Sequence, residues 1–147
     1  MPSPEESRRL ALEFVEKAFN EHDLEYIRSA LDDGFVDHSP GPGEAGDKAS
    51  ALAWFERSFQ TMPDMHAEVL RTVATGDRVA IHGVYSGTDV GGFMPGMAPT
   101  NKRVSMESID VMQLGPDGRH VGHWGIQDVM AAMAQLGMLP APGGAPA

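Results

Sequence analysis

The chain has 147 residues, and its 11 Lys and Arg against 21 Asp and Glu leave a net charge of −10. That length suits one domain with a real core, and so acidic a balance excludes nucleic acid and anionic membranes as partners, because phosphate recognition needs clustered basic side chains. Cysteine is absent, which excludes a disulfide framework and thiolate chemistry.

Residues 1–6 are acidic and lack an apolar stretch, so they do not read as a signal peptide, and a cytoplasmic location is expected. Ser3 and Pro4 read as the start of a helix, with Glu6 three positions after Ser3 for a capping box. Leu10, Ala11, Phe14, Val15, Ala18 and Phe19 then recur at helical spacing. Asp23 can cap a short second helix carrying Leu24, Ile27, Ala30 and Leu31, and Asp32-Asp33-Gly34 reads as a turn. Phe35 to His38 reads as a short strand that runs into Ser39-Pro40-Gly41-Pro42-Gly43, which no regular element accommodates. Asp47 can cap a third helix from Lys48 to about Met62, with an apolar stripe of Leu52, Phe55 and Phe59 and with Trp54 beside it.

Three long strands are expected next, at residues 65–75, 78–88 and 103–114, as antiparallel neighbours. Gly76-Asp77 makes the first turn. Between the second and third strands lies the loop Gly91 to Pro99, whose apolar Phe93, Met94 and Met97 suit a lid over a pocket or contact with a second subunit. Gly115-Pro116-Asp117-Gly118 turns into a last stretch, His120 to Leu136, that starts as a strand and ends as a helix. The tail 140–147 is expected to be disordered. Three helices followed by strands is an α+β pattern, best satisfied by a curved antiparallel sheet with three to four helices packed over its concave side and a pocket between.

In a regular strand His120, Trp124, Ile126 and Asp128 share one face. A carboxylate on such an aromatic face has its pKa raised, which suits a general acid/base. Asp128 is also well placed to cap the helix that starts at Val129, a role that would keep it ionised. The polar neighbour of that face depends on hairpin register. A two-residue loop puts Glu107 and Gln113 beside Trp124, whereas a turn with Gly118 in a bulge puts Met106 and Asp110 there. Pro116-Asp117-Gly118 favours the bulge. His38, His82 and His120 can orient a ligand or polarise a carbonyl, Trp54 and Trp124 can form flat apolar walls, and Tyr85 can donate to an oxyanion. His66 and His123 read as sheet-surface residues. No metal-site spacing is present, so no metal is expected, and no nucleophile elbow or dinucleotide fingerprint is present.

Phe35-Val36-Asp37-His38, Met62-Pro63-Asp64-Met65-His66, Gly76-Asp77-Arg78-Val79, Gly87-Thr88, Pro99-Thr100, Asp117-Gly118, Trp124 with Asp128, and Gln135-Leu136-Gly137 occur in an order and spacing that resembles the SnoaL-like polyketide cyclases of the NTF2-like superfamily. The resemblance spans roughly residues 8–139, read as a single domain over 1–139. It implies a cone-shaped α+β barrel, a homo-oligomer of two or four subunits, and cofactor-free acid/base ring closure or isomerisation of an apolar, polycyclic molecule, with Asp128 as the acid/base. The Met-rich, Gly-rich loop 90–98 departs from the family pattern, and Met94 is the substrate contact expected from it. A non-catalytic small-molecule-binding or interaction domain of the same fold is the alternative. Water-using chemistry such as epoxide hydrolysis lacks a recognisable carboxylate–arginine–carboxylate set.

Overall fold

The computed structural model describes residues 1–139; the tail expectation at 140–147 lies outside them. Helix α1 (Pro4–Val15) begins where Ser3 accepts a hydrogen bond from the Glu6 amide, and Glu6 pairs with Arg9 instead of closing a capping box. The helix continues as one π-type turn, Glu16–Asn20, that buries Ala18 and Phe19. The wider turn brings Asn20 to the sheet, where its side chain accepts from the Ala67 amide (2.7 Å) and donates to the Ala67 carbonyl (3.2 Å). One side chain thus satisfies backbone groups of an edge strand, which would otherwise offer a pairing template.

Helix α2 (Leu24–Ala30) is capped by Asp23. The chain then goes straight into strand β1 (Leu31–Asp37), so Asp32-Asp33-Gly34 lies within the strand and makes no turn. Helix α3 (Lys48–Thr61) starts at a complete capping box formed by Asp47 and Ser50. Strands β2 (His66–Thr75), β3 (Arg78–Thr88), β4 (Arg103–Leu114) and β5 (His120–Gln127) follow, then helix α4 (Val129–Gln135). The sheet order is β1-β5-β4-β3-β2. Strands β2 to β5 pair antiparallel as expected, but β1 joins β5 parallel, so the curved sheet is mixed and open.

The main core lies between the concave face and α1 to α3. Phe14, Phe19, Ile27, Phe35 and Phe55 from outside the central strands meet Val79, Ile81, Met112 and Leu114 from the sheet. A second cluster forms where α4 packs its Ala132 and Leu136 on Val104, with Phe93, Met62 and Met106 against it. Asp89 directs the long β3–β4 loop there. Its buried carboxylate accepts hydrogen bonds from the Gly92 amide and from the amide and hydroxyl of Thr100. Satisfying both oxygens in this way offsets the cost of burying a charge. The loop therefore packs at the α4 end of the sheet and does not form a lid over the cavity described below.

Candidate active site

Between the concave face, α1, α3 and the 39–46 loop lies a cavity of about 330 Å³. Its floor and walls include Phe14, Phe19, Trp54, Phe55, Tyr85 and Met112, and one side carries Asp37, Asp110, His120 and His123. The volume sits at the low end of small-molecule sites. A cavity of roughly 150 Å³ holds benzene, so there is room for about two fused rings.

The polar side is built by three neighbouring strands. Asp37 ends β1, directly beside His123 in the parallel register. His123 Nδ1 lies 3.0 Å from Asp37 Oδ1, and its Nε2 lies 3.0 Å from Asp110 Oδ1. The other Asp110 oxygen accepts from the Tyr85 hydroxyl (3.1 Å) and the Ser108 hydroxyl (2.5 Å). An imidazole between two carboxylates donates from both nitrogens only as the cation. Burial pushes the His123 pKa down, but the hydrogen bonds to Asp110 and Asp37 and their negative charges outweigh it and raise it to about 9. Burial likewise pushes Asp37 up, yet its bonds from His123 and the Ser39 amide hold it below the usual carboxylate value. Tyr85 is driven well above an ordinary phenol, first by burial and then by the Asp110 charge and hydrogen bond. It stays protonated and donates.

Backbone irregularity places His123 here. At the turn, Leu114 pairs with His120, the register that a Gly118 bulge predicts, and Gly118 has φ +81°. By the next pair, Gln113 with Gly122, one further residue has been inserted in β5. Such a bulge reverses every later side chain. His120 points into the cavity before it, and His123, Gly125 and Gln127 line the cavity after it. Trp124, Ile126 and Asp128 therefore leave the face they were expected to share with His120. Asp110 sits opposite Gly125, and Trp124 opposite Val111.

Of the residues singled out from the sequence, Trp54, Tyr85, Asp110 and His120 line the cavity. The others lie elsewhere. Trp124 is on the outer face of the sheet, with His38 stacked on it at 4.2 Å and the Arg78 guanidinium 5.2 Å from its ring centre. His82 pairs with Glu107 on the same outer face, because its position in β3 alternates with Tyr85. Met106 packs in the second cluster, and Met94 belongs to the loop that Asp89 ties down away from the cavity. Asp128 is exposed, and its carboxylate accepts from the Ala131 amide at 2.9 Å, as the cap of α4. Two residues not chosen beforehand, Asp37 and His123, complete the constellation. Alternation from buried Phe35 could have placed Asp37 inward, but nothing local to His123 announces its bulge except Gly122 beside it.

The family model described as SnoaL-like polyketide cyclase matches residues 9–136. AclR from Streptomyces galilaeus, a candidate hydroxylase, is similar at 30% identity over 94% of this chain and 89% of its own, with a TM-score of 0.82. IdmH from Streptomyces antibioticus, a candidate polyketide cyclase, is 35% identical over 89% of this chain and 98% of its own, with a TM-score of 0.76. TsrD from Streptomyces laurentii shares the fold at 24% identity, 95% and 100% coverage and a TM-score of 0.82. No protein with a curated description matches significantly.

Proposed function

The chain belongs to the SnoaL-like polyketide cyclase family, and from that premise we propose that it closes or isomerises a ring of a flat, apolar carbonyl compound by cofactor-free acid/base chemistry. The observation that carries this reading is the Asp37–His123–Asp110 array on the wall of an apolar cavity. Asp110 takes a proton from the carbon beside a carbonyl, and the electron pair moves to the carbonyl oxygen. As Asp110 becomes protonated, Tyr85 turns its hydroxyl from Asp110 to that oxygen, and the positive charge of His123, still held between Asp37 and Asp110, stabilises the charge developing there. The enolate carbon then bonds to a second carbonyl of the same molecule, and the new alkoxide recovers the proton. In this reading the role expected of Asp128 passes to Asp110 with His123, because the Asp128 carboxylate holds the start of α4.

The test is proton exchange on 2-tetralone, a two-ring ketone, in deuterated buffer followed by NMR. Wild-type protein is expected to accelerate loss of the α-proton signals, and Asp110→Asn to lose that acceleration by a factor of about 10² or more. Equal rates for the two proteins would sink the enzyme reading. A non-catalytic binder of the same fold is favoured by one observation: both His123 N–H groups already have partners. Tight ligand binding without exchange is the outcome that selects it.

The outer face of the sheet supports a homo-oligomer as part of the same proposal. Ile109 (55% exposed) and Ile126 (81%) pair across β4 and β5 on it, and Val73 (68%) stands on β2; exposed apolar side chains of this kind suit an interface.

A further inference from the structure

The cavity contains a polar group to which the acid/base reading gives no task. Strand β5 runs from a closed end, where His120 is 3% exposed, to a rim where Gln127 is exposed. The His120 ring lies 4.5 Å from the ring of Phe14, centre to centre, and its Nδ1 is buried with no hydrogen-bond partner among the described residues. A buried polar atom left unpaired in this way destabilises the fold until a partner reaches it. Burial and the nearby charge of His123 hold its pKa down at about 4, so the ring is neutral at pH 7. It therefore has one donor and one acceptor to offer, at the end of the cavity where Phe14, Leu31 and Met112 offer none from their side chains.

We propose that His120 sets the specificity of the inner end of the cavity by hydrogen-bonding a neutral oxygen, a phenolic hydroxyl or ring carbonyl, on the leading edge of a flat aromatic ligand. This rests on the reading of the cavity as the substrate site. The imidazole turns about a broad torsion next to its ring, which brings the unpaired nitrogen to the ligand edge. Either oxygen type is served, because the neutral ring donates from one nitrogen and accepts at the other. A bare hydrocarbon edge leaves the nitrogen unpaired. A carboxylate there would give up its hydration to a ring without charge, and the His123 cation nearby has both N–H groups already taken by Asp37 and Asp110, so the anion is rejected. The inner end thus selects a ligand that enters with an oxygenated but uncharged ring first.

The experiment titrates the full chain with 2-naphthol, naphthalene and 2-naphthoate, following the heat of binding and the ¹⁵N signals of the His120 ring. 2-Naphthol is expected to bind about tenfold more tightly than either of the others. It alone should move the His120 ring signals, and His120→Phe should bring the naphthol-to-naphthalene ratio close to one. Should His120→Phe fail to fold, the ring signals of the wild type decide. Equal affinities, a preference that survives His120→Phe, or ring signals that stay still with naphthol bound would overturn the inference. Those outcomes leave 2-tetralone exchange untouched. Conversely, absent exchange with the naphthol preference intact removes the enzyme reading and keeps this one, and no binding by any of the three probes removes both.

Discussion

His120 and His123 are three residues apart on one strand, line one cavity and are shifted in opposite directions. His123 is held as a cation by two carboxylates, with its pKa at about 9, while His120 is held neutral by burial and by His123, with its pKa at about 4. Each shift is a statement about stability. The His123 pKa is raised above its unfolded value, so its contribution is complete below about pH 6.5 and is lost as the pH climbs to about 9. The His120 pKa is lowered, so folding resists its protonation and stability is lost as the pH falls from about 6.5 to about 4. Each limb is at most about 3 kcal/mol before allowance for solvent, and smaller for His123, whose side chain is 25% exposed. The melting temperature should therefore peak near pH 6–7. His123→Asn should flatten the alkaline side and His120→Phe the acid side of that curve. An alkaline limb unchanged in His123→Asn would mean that the carboxylates do not hold the cation.

Strand β5 as an element places these residues, and its glycines make the geometry possible. A Cβ at Gly125 would lie 2.8 Å from Asp110 Oδ1 and 3.0 Å from His123 Cε1. Gly125→Ala should push Asp110 and His123 apart and bring the His123 pKa down toward the ordinary value of about 6.5, read by NMR titration. A titration still centred near 9 would show that the pair yields without parting. At the strand's end Asp128 does the work of a helix cap. Asp128→Ala should cost about 1 kcal/mol of stability and leave 2-tetralone exchange at the wild-type rate. A folded Asp128→Ala protein without exchange would return the acid/base role to Asp128. The helices were legible because caps and apolar spacing are local: Ser3, Asp23 and Asp47 each cap as their positions predict. The inserted residue in β5 was not, because a bulge follows from how β4 and β5 are held in the whole sheet and leaves at most a glycine as its trace.

For the whole molecule, the sheet separates two surfaces of different character. The concave face makes the cavity, and the outer face carries Ile126, Ile109 and Val73 beside the His38–Trp124–Arg78 stack. If the outer face joins copies of this chain, Ile126→Glu should shift the sedimentation coefficient to that of a monomer without changing 2-tetralone exchange. A wild-type protein that sediments as a monomer at every concentration tested would remove the oligomer. The α+β architecture, the element order and the family were readable from one-dimensional patterns, because helical spacing, turn residues and motif order survive without knowledge of contacts. The site was readable only in part. Tyr85 and Asp110 needed only correct alternation, but Asp37 and His123 needed the parallel pairing of β1 with β5 and an extra residue in β5. A strand's side chains alternate with a period of two, so one inserted residue decides which of them face the cavity and which face solvent. Composition and periodicity determined what elements this chain makes; tertiary pairing alone decided that a histidine read as surface, and not the aspartate five residues after it, faces the cavity.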